Sequence, residues 1–214
     1  MTFSYIKATA YAVILMALTG CASLLAPVLT PDVSTVQADL KQGAYTLDQT
    51  HASLLFKIDH LGYSNYVGRF NTFDASLDFE AGKPETTLID ARIDMTSLDI
   101  ANDEFARELM GTNWFDAARF PVAIFQSTSV VQLTDTTGTL TGNLTLHGET
   151  QSVTLDVTFN GAAYDRLRGA DIMGFSARGA IDRTDFGIRK FSGIITDNVM
   201  IEIEAEFIKT GSAD

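Results

Sequence analysis

Residues 45–79 read YTLDQTHASLLFKIDHLGYSNYVGRFNTFDASLDF, two alternating apolar arms around a glycine-bearing middle. Leu54, Phe56 and Ile58 share one parity, while Ser53, Lys57 and Asp59 take the other. Further on, Phe73, Ala75, Leu77 and Phe79 alternate with Thr72, Asp74, Ser76 and Asp78. Successive side chains of a pleated strand point to opposite faces, so this period of two describes strands with one buried face. Gly62, Ser64, Asn65 and Gly68 supply turn chemistry between the arms, which predicts a long antiparallel hairpin.

The same pattern runs on to the end of the chain. Ile89, Ala91, Ile93 and Met95 predict a third strand, and Pro121 to Val131 a fourth. Thr139 to His147 carries Leu140, Gly142, Leu144 and Leu146 on one face, and Val153, Leu155, Val157 and Phe159 follow after a tight Gly148-Glu149 link. Met173 to Ile181 is a seventh strand. Val199, Ile201, Ile203, Ala205 and Phe207 against Glu202, Glu204 and Glu206 form the last. The pattern breaks only between Asp99 and Phe120, where Asn102 or Asp103 can cap a short helix with Phe105, Leu109, Trp114 and Phe115 on its apolar side. Short connections and no β-α-β rhythm predict an all-β fold, an eight-stranded antiparallel up-and-down barrel with one short helical insertion; a sandwich is the alternative.

The chain has 214 residues, 46% hydrophobic, with 15 Lys and Arg against 27 Asp and Glu, a formal charge of −12. Such an acidic surface repels phosphate backbones, which argues against a nucleic-acid partner. One cysteine, Cys21, excludes an intrachain disulfide and a cysteine-rich zinc site. Residues 1–20 combine Lys7, an uncharged run from Ala8 to Gly20 and small residues at the end, the grammar of a secretory signal. Leu18-Thr19-Gly20-Cys21 resembles the bacterial lipobox, so Cys21 is expected to be lipidated and to anchor the chain to a membrane, with Ala22 after it fitting an outer-membrane destination. A membrane-spanning helix and ordinary signal cleavage are the alternatives. Residues 21–42 read as a tether and 43–210 as the barrel.

Eight strands enclose a lumen that side chains fill or that holds one small ligand. Strand parity assigns Leu54, Phe56, Ile58, His60, Phe73, Leu77, Phe79, Ile93, Leu144, Leu155, Phe175 and Ile203 to its lining. Small inward residues, Ala75, Ala91, Gly142, Ala177, Gly179 and Ala205, favour open space. Strands of about 10 to 14 residues imply an elongated lumen suited to a chain-like apolar molecule. His51, His60 and His147 lack metal-ligand spacing and read as hydrogen-bonding residues; His60, on the lining parity, can also offer a head group one polar contact. Arg183 and Asp185 read as pairing with each other or capping turns. Gly174-Phe175-Ser176-Ala177-Arg178 lacks the second glycine of a nucleophile elbow, and no phosphate-cradling loop occurs, so no catalytic residue is assigned.

These segments carry a resemblance. Asp48 and His51, His60-Leu61-Gly62, Val67-Gly68-Arg69-Phe70, Trp114-Phe115-Asp116-Ala117 with Phe120-Pro121 and Ile124-Phe125, Gly142 to Gly148, Gly174-Phe175 and Arg183-Thr184-Asp185-Phe186-Gly187-Ile188 are similar, in order, to motifs of the YceI-like family. Phe105-Ala106-Arg107-Glu108 departs from that pattern, so the family's head-group preference is not carried over. The resemblance implies a secreted, lipocalin-like barrel that encloses an isoprenoid or quinone-like lipid. The expectation is a non-enzymatic lipid carrier of the cell envelope, with no cofactor beyond the bound lipid and with homodimerisation left open. The competing expectation is an envelope interaction module, stress-related, with a filled barrel and no ligand.

Overall fold

Each arm of the opening hairpin is split in two. In the computed structural model, which describes residues 26–36 and 40–210, the first arm comprises β1 (Gly43–Leu47) and β2 (Ser53–His60). The second comprises β3 (Ser64–Phe70) and β4 (Phe73–Phe79). β2 pairs with β3 from Leu54↔Phe70 to His60↔Ser64, and β1 with β4 from Gly43↔Phe79 to Thr46↔Ser76. The first arm is broken by a 3-10 turn at Gln49–His51, which Asp48 caps by accepting the Thr50 N–H at 3.0 Å. At the hairpin tip Leu61 and Gly62 have φ of 61° and 75°, the left-handed region, and the Gly62 N–H is held by Asp59 at 2.9 Å.

The remaining elements are β5 (Leu88–Asp94), the two-residue β6 (Leu98–Asp99), α1 (Asp103–Leu109), β7 (Val122–Gln132), β8 (Thr137–Leu146), β9 (Glu149–Asp165), β10 (Ala170–Asp182) and β11 (Asn198–Lys209). Neighbours run β1-β4-β5-β7-β8-β9-β10-β11, and β11 returns to β1, so the eight strands close on themselves. All pairings between these strands are antiparallel. β11 serves the first arm twice, at β2 through Val199↔Ile58 to Glu204↔Ser53 and at β1 through Leu47↔Phe207 to Tyr45↔Lys209. The up-and-down barrel expected from the alternation is the observed fold. β6, which pairs with β3 at Arg69↔Asp99 and Phe70↔Leu98, is additional to the expected strands.

The helical insertion is shorter than its sequence signal. Asn102 caps α1, accepting the Phe105 N–H at 3.0 Å, and the helix ends at Leu109. Trp114 and Phe115 therefore lie beyond it, in the turns leading to β7. Between β8 and β9, His147 and Gly148 both have positive φ, 54° and 84°, the two-residue turn whose twist matches a hairpin. In the described part of the tether, residues 26–29 form one helical turn, and Ser34 exchanges two backbone hydrogen bonds with Ala162 of β9 at 2.9 and 2.8 Å. Cys21 and the signal segment lie outside the described residues. No helix among those described is long and apolar enough to cross a membrane.

Two of the small inward residues do not create space. A Cβ on Gly142 would stand 2.3 Å from the Phe125 ring and 2.6 Å from the Gln126 carbonyl, and one on Gly179 would stand 2.5 Å from Leu155. These glycines let a neighbouring side chain lie across the backbone instead of opening the lumen. Gly142→Ala is accordingly expected to destabilise the barrel by about 1–3 kcal/mol, the usual cost of overpacking a set core, visible as a lowered urea midpoint with an unchanged m-value.

Candidate functional site

Period two along eight closed strands places one apolar row of each strand inside the ring. Cross-strand registers set large residues beside small ones: Phe175 beside Ala205, Ala177 beside Ile203, and Phe125 beside Ala91, which in turn faces Ala75. The result is a continuous cavity of about 610 Å³ through the barrel, within the size range of small-molecule sites. Leu54, Phe56, Ile58, His60, Phe73, Leu77, Phe79, Ile93, Leu144, Leu155, Phe175 and Ile203 all border it. His60 differs from the rest in being exposed, at the rim.

The two ends are built differently. At one, reached by the end of β2 and the start of β11, the cavity is covered by residues the strand pattern did not assign: Tyr66, Phe70, Phe105, Leu109, Trp114, Phe115, Ile188, Phe191 and Ile195. Rings meet edge-on there, Tyr66 with Phe105 at 5.7 Å and Phe70 with Phe115 at 5.9 Å. Their density in the non-alternating stretch from Phe105 to Phe115 was the available sequence signal. The opposite end is bordered by Pro84, Thr87, Gln132 and the β7–β8 turn from Thr134 to Thr137. Leu40, just ahead of β1, also reaches the lining.

Arg183 does not pair with Asp185. It is 3% exposed and makes a 2.6 Å ion pair with Asp197. Its other N–H groups go to carbonyls of the β10–β11 connection, Ile188 at 2.9 Å and Lys190 at 2.8 Å among them. The buried guanidinium thus folds residues 187–197 over the aromatic end. Lys190 ties that loop to α1 through Glu108 at 2.7 Å, which holds the Glu108 carboxyl below its usual range. Asp185 contributes only its backbone carbonyl, accepting from Gln151.

The three histidines are far apart in role. His147 Nδ1 bonds the Phe186 carbonyl at 2.9 Å, and His51 Nδ1 lies 2.8 Å from Asp48. Asp48, His51 and Glu206 converge closely enough to suggest a cation site, but a guanidinium already sits among them. Arg168 reaches Asp48 at 3.0 Å, Glu206 at 2.6 Å and Asp165 at 2.8 Å. Burial alone would raise the Asp48 pKa, yet hydrogen bonds from Thr50, His51 and Arg168 outweigh it and hold the carboxyl well below the usual range. This cluster braces the outside of the barrel and lies apart from the cavity.

A closed antiparallel barrel with an apolar lumen defines a lipocalin-like architecture. The chain belongs to the YceI-like family, whose domain it matches over residues 45–207. A UPF0312 protein of Pseudomonas putida is 35% identical over 167 residues, covering 77% of this chain and 86% of the relative. The YCEI protein of Campylobacter jejuni superposes with a TM-score of 0.66 at 29% identity, over 72% of this chain and 91% of that one. A polyisoprenoid binding domain from Saccharophagus degradans shares the fold, with a TM-score of 0.54 at 16% identity over 79% of this chain and 100% of that one.

The Asp48 cluster makes stability depend on pH. A carboxyl with a depressed folded-state pKa contributes fully above its unfolded value of ~4, and the contribution is lost as pH falls through that value toward the folded one. Thermal melts are expected to show Tm falling from about pH 5 to pH 2. Asp48→Asn should lower Tm at neutral pH and flatten this slope; an unchanged slope would remove Asp48 from the cause.

Proposed function

We propose that this protein is a non-enzymatic carrier that binds a long-chain isoprenoid or related quinone-like lipid inside its barrel, in the bacterial cell envelope. The carrying observation is the apolar cavity running the length of the lumen. A filled barrel has no such space. Each CH₂ moved from water onto this lining is worth ~0.8 kcal/mol, offset in part by ordering the chain. Specificity on such a wall comes from length and cross-section. The polyisoprenoid binding domain that shares the fold supports the choice of ligand.

The twelve lining residues named above are the proposed ligand contacts. Lipidation of Cys21 and an outer-membrane address remain part of the proposal, resting on the lipobox-like Leu18-Thr19-Gly20-Cys21. An acylated N-terminus would hold the barrel at the surface where its cargo dissolves. Among the described residues no pair of convergent catalytic groups faces the lumen: Arg183 is committed to Asp197 and to backbone carbonyls, and the lining is otherwise almost wholly apolar.

Protein purified from an envelope without detergent, with the anchor segment replaced by a cleavable signal, is expected to release a stoichiometric polyprenyl or quinone species on organic extraction and mass spectrometry. Ala177→Phe, which adds a ring beside Ile203 inside the lumen, should cut the recovered lipid at least about tenfold, ~1.4 kcal/mol, while the far-UV spectrum persists. Folded wild-type protein that is repeatedly empty and takes up no added isoprenoid would overturn the carrier reading.

A further inference from the structure

We infer that the cavity admits chain-like lipids with an uncharged head group, such as an alcohol, quinone, amide or ester, and rejects the same chain carrying a phosphate. The inference rests on the isoprenoid reading above and adds the charge of the head group to it. A phosphate ester whose chain is buried needs, where that chain ends, a free cation or a set of unspent N–H donors. Among the described residues the lining supplies neither at either mouth.

Arg183 is the one Lys or Arg among the described lining residues. Its guanidinium has five N–H donors, and each has a partner. Nε donates to Thr196 O at 3.3 Å, Nη1 to Ile188 O at 2.9 Å and Lys190 O at 2.8 Å, and Nη2 to Ile195 O at 3.5 Å, while Nη2 also forms the 2.6 Å ion pair with Asp197. Turning it toward a ligand would strip the loop that closes the aromatic end. Lys190 stands outside the lining, bound to Glu108. The other polar lining groups at this end are His60, Tyr66 and the buried indole N–H of Trp114, which makes no hydrogen bond within the described residues; one lone donor and two neutral groups suit a neutral oxygen.

At the opposite mouth the polar lining side chains among the described residues are Thr87, Gln132, Thr134, Asp135, Thr136, Thr137 and Thr139. The only charge among them is a carboxylate, which repels phosphate. Gln132 Nε2 donates to Thr134 O at 2.8 Å, and the Thr87 and Thr136 hydroxyls make no hydrogen bond within the described residues, so a neutral head group finds both donors and acceptors. Lys83, in the neighbouring connection, lies outside the lining and pairs with Glu80 at 2.5 Å. The formal charge of −12 adds a long-range field against anions.

The test compares geranylgeraniol with geranylgeranyl phosphate on the delipidated full chain, followed through Trp114, the single tryptophan and a lining residue. Binding is measured at about pH 8, above the reference histidine value of ~6.5. The phosphate is expected to bind at least about tenfold more weakly, a gap of ~1.4 kcal/mol. Gln132→Lys and His60→Lys each place an ammonium at one mouth, and narrowing of the alcohol-to-phosphate ratio in either supports the inference. Equal or tighter binding of the phosphate by the wild type overturns it, as does a ratio unchanged in both variants. Binding of neither ligand overturns the isoprenoid reading and this inference with it, whereas equal binding of both sinks the inference alone.

Discussion

The structure depends on one short seam, where the first strand meets the last. β1 and β11 share only the ladder from Tyr45↔Lys209 to Leu47↔Phe207, extended by the Asp48 N–H to Glu206 O and the Thr210 N–H to Ala44 O. Closing it removes two sheet edges and turns a strongly twisted sheet into a container. β11 is also the partner of β2, so the first arm must step sideways between Leu47 and Ser53, and the 3-10 turn after Asp48 is that step. Inside the seam, Tyr45 is 1% exposed, and burial pushes its phenol up to about 12. Outside it, Arg168 draws together Asp48 of the step, Glu206 of β11 and Asp165 of the β9–β10 hairpin. An apolar packing on one face and an ion-pair network on the other hold the same few residues.

Closure alone would give a packed barrel. The lumen stays open because rungs that pass through Ala75, Ala91, Ala177 and Ala205 are too short to meet across it. Leu54, Phe56, Ile89, Ile93, Val157 and Ile203 are consequently half-buried although they point inward. An apolar wall left partly accessible is a store of hydrophobic free energy that a chain-like guest can realise on entry. Glycines serve the opposite purpose at Gly142 and Gly179, where Phe125 and Leu155 lie across the backbone and thicken the wall.

The parts legible in the sequence are those that period two can encode. Eight strands, their inward rows and the opening hairpin follow from alternation that any local window displays, and the twelve residues assigned by parity all border the cavity. What escaped depends on contacts remote in the chain. Arg183 lies beside Asp185 in sequence, but its partner is Asp197, across a loop whose path has no periodic signal. In the Arg168 cluster the guanidinium reaches across 120 positions to Asp48. The aromatic cover was visible as composition between Phe105 and Phe115, yet the sequence signal put all four apolar residues on one short helix, whereas the chain leaves the helix at Leu109 and turns Trp114 and Phe115 onto the lumen separately. A small residue on the inward parity likewise does not declare whether it makes room or is covered.

The distribution of charge explains why shape governs what this lumen can hold. The buried cation at the aromatic end closes a loop, and the arginine of the seam braces strands, so both are consumed in keeping the container shut. Converting Arg183 to ligand recognition would cost the closure of its end of the cavity, since a buried guanidinium that loses its partners destabilises its surroundings by several kcal/mol. Polar recognition is therefore confined to the rims, where water competes and each contact is weak. Discrimination falls to the cross-section set by rungs such as Phe175–Ala205 and Ala177–Ile203. A wall of this kind distinguishes a slender flexible chain from a bulky ring more sharply than it distinguishes one neutral head group from another.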